Sequence, residues 1–293
     1  MTTNRKNIIV PTDFSEQSKI ALSQSYNLAR HDHADITLLH VIDEDLFHSM
    51  FHVFADKTAQ EELYKTGIKA KLQEMADEAK ANSGLEFKVR VEKGKIYEQV
   101  VKVAEELNAD FIIMGTMGAS SLKKKFIGSN SIRVISEAHC PVITIKGTEH
   151  HEGCKTIVLP LDLSKETKEK VVNCIQIATF FNSEIKVMSV VDTDDEFLVN
   201  KLNRQLDQVV DYIASHGLSV EGTFVKADKI SEGVMNFAIA VKADLIMIMT
   251  QQELVWTEFF IGTESQQIIN HSTIPICSIR PIERKDTTEF VIT

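Results

Sequence analysis

The chain is poor in cysteine, in positive charge and in long apolar runs, and each shortage excludes something. Only Cys140, Cys154, Cys174 and Cys277 occur in 293 residues. That is too sparse for a disulfide framework and suits a reducing cytoplasm. There are 32 basic against 42 acidic residues, a formal net charge of −10. A general nucleic-acid or anionic-membrane binder needs a basic footprint, so neither is expected. An anionic ligand would have to be held locally, by main-chain amides or a few placed cations. No apolar run reaches signal-peptide or membrane-spanning length, which predicts a cytoplasmic protein without a membrane partner. Catalytic signatures are missing as well. The sequence has no Gly-x-Ser-x-Gly elbow, no His-Glu-x-x-His pair and no Walker-type glycine–lysine loop. His48 and His52, and the group His150, His151 and Cys154, lack the convergent partners that a tetrahedral metal site needs.

What is present is ordinary globular material, 43% hydrophobic and 25% charged. The length is about twice the ~150 residues of one domain, which predicts two. Internal similarity makes this concrete. The run from Lys6 to Ser15, KNIIVPTDFS, returns 149 residues later as KTIVLPLDLS, from Lys155 to Ser164. The run from Ile36 to Asp43 returns at the same offset, from Ile185 to Asp192. Beyond that point the offset falls to 134: Ala109-Asp110-Phe111 matches Ala243-Asp244-Leu245, and Phe126 to Ser129 match Phe260 to Thr263. The chain therefore consists of two homologous halves, 1–149 and 153–293, joined by a short polar linker. The first half carries 15 extra residues between Asp43 and Ala109.

In the first half, short β-branched runs at 8–10, 36–41, 87–91, 111–114 and 142–145 alternate with helical-period segments at 15–31, 58–82, 96–107 and 129–138. Near-continuous apolar strands separated by helices predict a parallel sheet covered on both faces. Each half is then a doubly wound, five-stranded, Rossmann-like α/β domain. The extra residues fall near 44–67 and bring Phe47, Met50, Phe51, Val53 and Phe54. They read either as a lid or cover packed against the other repeat, or as the opening turn of a longer helix.

In such folds ligands lie beyond the carboxyl ends of the strands, where strand order reverses. The candidates are Pro11, Thr12 and Asp13 after the first strand, Val41 to Asp43 after the second, and Gly115, Thr116, Met117 and Gly118 after the fourth. The last loop runs on through Lys123-Lys124-Lys125 to Gly128, Ser129 and Asn130. It offers glycines for close main-chain approach, a helix N-terminus for an anion, and cations. Asp13 could also ligate Mg²⁺ or position a water, although capping the following helix is its plainer role.

With both repeats covered and only the linker and tail outside, the chain resembles a tandem universal stress protein. Nucleotide-binding members carry Gly-x2-Gly-x9-Gly-[Ser/Thr], which Gly115, Gly118, Gly128 and Ser129 fit without a gap. The resemblance implies an adenine nucleotide alpha hydrolase-like fold and a bound ATP, with or without Mg²⁺. It implies that Asp13 and the main chain of Val41 face adenine, and that Pro11 and Thr12 shape the adenosine pocket. Gly115, Thr116 and Gly118 would follow the ribose and phosphates, and Gly128, Ser129 and Asn130 would hold the phosphates. It also implies pairing of domains through their last strands, 141–146 and 275–280, here as an intramolecular pseudo-dimer, with a homodimer left open.

The second half departs from the motif. Met249 and Gln252 replace Gly115 and Gly118, and Glu253, Glu258 and Glu264 replace Ala119, Lys124 and Asn130. Side chains then fill the nucleotide's space and carboxylates repel its phosphates. One competent and one degenerate site are expected. The leading function is a nucleotide-dependent stress-response or regulatory protein. Slow Mg-dependent ATP hydrolysis or phosphoryl transfer, and an interaction module that binds nothing, are the alternatives.

Overall fold

The computed structural model describes residues 6–30, 34–51, 57–116, 127–146, 153–163, 167–250 and 263–281. The chain divides into two compact units, Met1–His150 and His151–Thr293.

The first unit runs β1 (Asn7–Pro11), α1 (Glu16–Arg30), β2 (Asp35–Asp43), α2 (Glu44–Phe51), α3 (Lys57–Ser83), β3 (Phe87–Gly94), α4 (Ile96–Glu106), β4 (Phe111–Gly115), α5 (Ser129–Glu137) and β5 (Val142–Ile145). Its strands pair in parallel in the order β3-β2-β1-β4-β5. Ile8, Ile9 and Val10 are fully buried because β1 is covered on both faces. The chain moves outward from β1 through β2 to β3, then returns to β4 on the other side of β1. With right-handed crossovers the helices of the two directions lie on opposite faces. Accordingly α1 packs with α3, and α4 packs with α5. The C-terminal ends of β1 and β4 are where the two sets part.

Aspartates tie the strand starts together. Asp110, just before β4, accepts the Asn7 N–H at 2.9 Å and the Lys6 ammonium at 2.7 Å. This gives the repeated Ala-Asp pair a structural reason. The opening of the extra segment forms a helix of its own. Asp43 accepts the Leu46 N–H at 3.0 Å as its cap. Phe47 is buried within its own repeat, 5.8 Å from the Tyr64 ring and with the Lys93 ammonium 4.6 Å from its centroid. The segment's start is thus a helix of its own and not the first turn of α3. Val53 and Phe54 lie outside the described residues.

The second unit repeats the plan with β6 (Thr156–Leu161), α6 (Thr167–Phe181), β7 (Glu184–Val191), α7 (Glu196–Ser215), β8 (Val220–Lys226), α8 (Ile230–Ala240), β9 (Leu245–Met249), α9 (Thr263–His271) and β10 (Ile276–Ile279). Its parallel order is β8-β7-β6-β9-β10. Asp244 accepts the Lys155 and Thr156 N–H groups at 2.7 and 2.9 Å, as Asp110 accepts the Asn7 N–H in the first unit. A single helix, α7, spans the connection that α2 and α3 fill in the first repeat. Among the described residues no helix is long and apolar enough to cross a membrane.

All four cysteines are free and buried. Burial pushes the Cys140 and Cys154 thiols up to about 12 and raises Cys174 as well. An aromatic disulfide reagent at pH 8 should therefore label none of them rapidly in the native protein and all four once guanidinium is added.

Candidate functional site

The site is built from the turn after β1 upward. The Thr12 N–H donates to the Leu39 carbonyl at 2.8 Å, and the Thr12 carbonyl accepts from His40 Nδ1 at 2.8 Å. Both main-chain groups of Thr12 are thus fixed to β2. Its hydroxyl accepts the Phe14 N–H at 3.0 Å and pairs with the Ser18 hydroxyl at 3.0 Å. Asp13 is exposed, and its carboxylate accepts the Ser15 N–H at 3.0 Å ahead of α1, the capping role. Phe14 adopts φ +63°, which costs a residue with a side chain about 1–2 kcal/mol. Its ring stacks on His40 with centroids 4.7 Å apart, and the Lys71 ammonium lies 4.4 Å from the ring centroid. A stacked pair gives about 0.5–1.5 kcal/mol and an exposed cation over a ring about 0.5–1 kcal/mol, enough to offset the strain.

A cavity of ≈ 220 Å³ opens beyond this turn. Pro11, Thr12, Asp13, Val41, Gly115, Gly128, Ser129 and Asn130 all line it. Thr116 is buried behind these residues rather than lining the cavity, and its hydroxyl has no hydrogen-bond partner. Gly118 lies outside the described residues, as does the lysine run at 123–125. Leu39, Ile96, Val100 and Met114 supply an apolar wall that motif reading missed. Its signals were the alternation that puts Leu39 and Val41 on one face of β2, and the buried stripe of α4. Among the described lining residues Asp13 is the one with a formal charge.

The two glycines have different reasons to be glycine. A Cβ on Gly115 would sit 2.9 Å from Gln17 Cγ and 3.1 Å from the Gln17 carbonyl oxygen, so the close approach of α1 requires the missing side chain. At Gly128 φ is −70°, which any residue adopts, and a Cβ would meet nothing nearer than the Thr116 carbonyl at 3.5 Å. Among the described residues, packing and backbone conformation leave residue 128 free to carry a side chain. It is also the N-cap of α5 and gives that helix no side-chain cap, so the open first turn borders the cavity. The Ser131 hydroxyl donates to the Gly115 carbonyl at 3.2 Å and holds α5 against β4.

The comparisons with known proteins agree in both halves. The model of the universal stress protein family matches residues 4–146 and again 153–280. The chain belongs to the universal stress protein family. Two universal stress proteins of Methanocaldococcus jannaschii are similar to it. One is 32% identical over 143 residues, 48% of this chain and 82% of its own length. The other is 35% identical over 159 residues, 50% of this chain and 98% of its own length. The crystal structure of a universal stress protein from Archaeoglobus fulgidus has the same fold over nearly the whole chain. It superposes with TM-score 0.72 at 21% identity, covering 94% of this chain and 97% of that one.

The second universal stress domain treats the matching residues differently. Asp162, in the place of Asp13, accepts the Thr167 hydroxyl at 2.8 Å and the Lys170 ammonium at 3.2 Å. Its carbonyl accepts the Thr167 hydroxyl and Gln205 Nε2, each at 2.9 Å. Lys170 is 3% exposed and stands where the first repeat has Ala21. Met249 is buried at the Gly115 position. Glu264, in the first turn of α9, accepts the Ser231 N–H at 2.8 Å and so serves the start of α8 with its own carboxylate. Gln252, Glu253 and Glu258 lie outside the described residues.

Two outcomes follow. Gly115→Ala should destabilise the protein by about 1–3 kcal/mol through the clash with α1, while Gly128→Ala should cost less than about 1 kcal/mol, both measured by urea unfolding. Burial, the largest influence, holds the His40 pKa below its ordinary 6.5. Neutral His40 then contributes stability that is complete above pH 6.5 and lost as pH falls through the lowered value. The thermal midpoint should fall more between pH 7.5 and pH 5 in the wild type than in His40→Asn.

Proposed function

We propose that the first repeat binds ATP and that occupancy there makes this universal stress protein a nucleotide-dependent regulator of a stress response. Gly128 carries the reading. It is a glycine that neither its backbone angle nor the neighbouring atoms of the described residues require, set at a helix N-terminus without a side-chain cap on the edge of a cavity. A main chain kept bare at that point suits a phosphate group approaching α5. The wall of Leu39, Val41, Ile96, Val100 and Met114 suits the flat apolar faces of an adenine base. The exposed Asp13 carboxylate fits either a ribose hydroxyl or a Mg²⁺ ion carried by the triphosphate. The base would supply shape and main-chain recognition, and the phosphates would draw on peptide dipoles in place of fixed cations.

We read the site as one that holds nucleotide rather than one that turns it over. Asp13 is the only carboxylate among the described lining residues, and it accepts the N–H that opens α1. In the second repeat Lys170 and Thr167 engage the matching aspartate, which supports nucleotide binding by the first repeat alone.

Isothermal titration with Mg·ATP should give about one site per chain. Gly118→Leu should abolish binding and Gln252→Leu should leave it unchanged, whereas Gly128→Ala should weaken it by at least about tenfold without loss of thermal stability. Absence of binding to the wild type, or two equal sites per chain, would overturn the reading.

A further inference from the structure

We propose that Phe14, His40 and Lys71 are positioning residues of the first-repeat site: together they hold the turn that presents Thr12 and Asp13 to the ligand. The inference rests on the nucleotide reading above and adds residues that do not line the cavity. Four observations carry it.

The three side chains come from separate elements: Phe14 from the turn itself, His40 from β2 and Lys71 from α3. Leu39 and Val41 line the cavity from one face of β2, so His40 between them projects from the other. There its ring takes the Phe14 ring at 4.7 Å and donates from Nδ1 to the Thr12 carbonyl at 2.8 Å. Lys71 sits 4.4 Å from the centroid of the Phe14 ring. The turn is therefore gripped from the far side of the sheet, through a ring and a carbonyl, while its outer surface stays available to a ligand.

Secondly, the turn needs the grip. Phe14 sits at φ +63°, a conformation that side-chain-bearing residues rarely keep without support and one that clusters at functional sites. Ring contacts on Phe14 and the Thr12 hydroxyl bonded to its N–H supply the support.

Thirdly, the second repeat lacks the same device residue by residue. Leu163 replaces Phe14 and is 38% exposed. Ser189 replaces His40, fully buried, with a hydroxyl that has no hydrogen-bond partner. Gln205 replaces Lys71 and donates to the Asp162 carbonyl. Leu161 replaces Thr12 and brings no hydroxyl. The fold is kept in both repeats, so the fold alone does not need the stack.

Fourthly, the consequence differs at the aspartate. Without the stack, Asp162 is drawn to Thr167 and the buried Lys170. With it, Asp13 stands at the cavity edge and caps α1.

The experiment compares ATP affinity with apo-protein stability in Phe14→Gly, Phe14→Tyr, Lys71→Gln and the wild type. Glycine adopts φ +63° freely, so Phe14→Gly removes the ring without straining the turn. It should lose about tenfold in affinity, Lys71→Gln about threefold, and Phe14→Tyr should bind as the wild type does. The apo thermal midpoints of Lys71→Gln and Phe14→Tyr should stay within about 2 °C of the wild type. Wild-type affinity in both Phe14→Gly and Lys71→Gln would overturn the proposal, as would affinity losses that merely follow losses of apo stability. A wild type that binds no nucleotide would instead defeat the functional reading on which this one stands, and the two failures are told apart by that control.

Discussion

The position of β1 between β2 and β4 is the constraint from which the rest of the first repeat follows. A strand paired in parallel on both sides must be apolar on both faces, and the three fully buried residues Ile8, Ile9 and Val10 meet that demand. Its neighbours are reached by crossovers running in opposite directions, so the helices leave the sheet on opposite faces and the C-terminal ends of β1 and β4 are left uncovered. Pro11, Thr12, Asp13, Gly115 and Gly128 meet there although more than a hundred residues of sequence separate the first from the last. The aspartates at the far ends of the strands, Asp110 and Asp244, lock this arrangement in each repeat by accepting main-chain N–H groups of the incoming first strand.

The two repeats spend similar material differently at that crevice. In the first, polar bonds go to fixing the main chain around Thr12 and to joining α5 with β4. In the second, an ammonium is buried against Asp162 and Glu264 supplies an anion to the start of α8. A buried charge is tolerated only with a partner, since a lone one costs several kcal/mol. Lys170 and Asp162 are therefore coupled, and removing the Asp162 carboxylate would leave the Lys170 ammonium buried without it. The repeat that has Met249 at the Gly115 position is also the one that carries the Lys170–Asp162 ion pair.

Much of the fold was legible because its signals are local. β-branched runs, helical spacing and the repeat itself placed the ends of the strands of the first half within three residues of those of β1 to β5. Helix α2 was not separated from α3 because its short apolar content reads equally as a loop that packs; only the burial of Phe47 against Tyr64 and Lys93 decides it. The site was partly legible. Gly115 and Gly128 look alike in a motif, yet one answers to the α1 backbone and the other to nothing among the described residues. Thr116 fell inside the motif but is buried and does not line the cavity.

By itself the sequence determined two α/β domains, their parallel strands and the loop in which glycines cluster, because periodicity and repetition are written along the chain. Only the tertiary structure decided which residues meet at the crevice. Ile96, Val100 and Met114 reach it from an intervening helix and strand, and Phe14, His40 and Lys71 converge from three elements far apart in sequence. The reason is physical: spacing along a chain fixes the face of an element on which a side chain lies, whereas contact between elements depends on strand order and crossover, which no local pattern encodes.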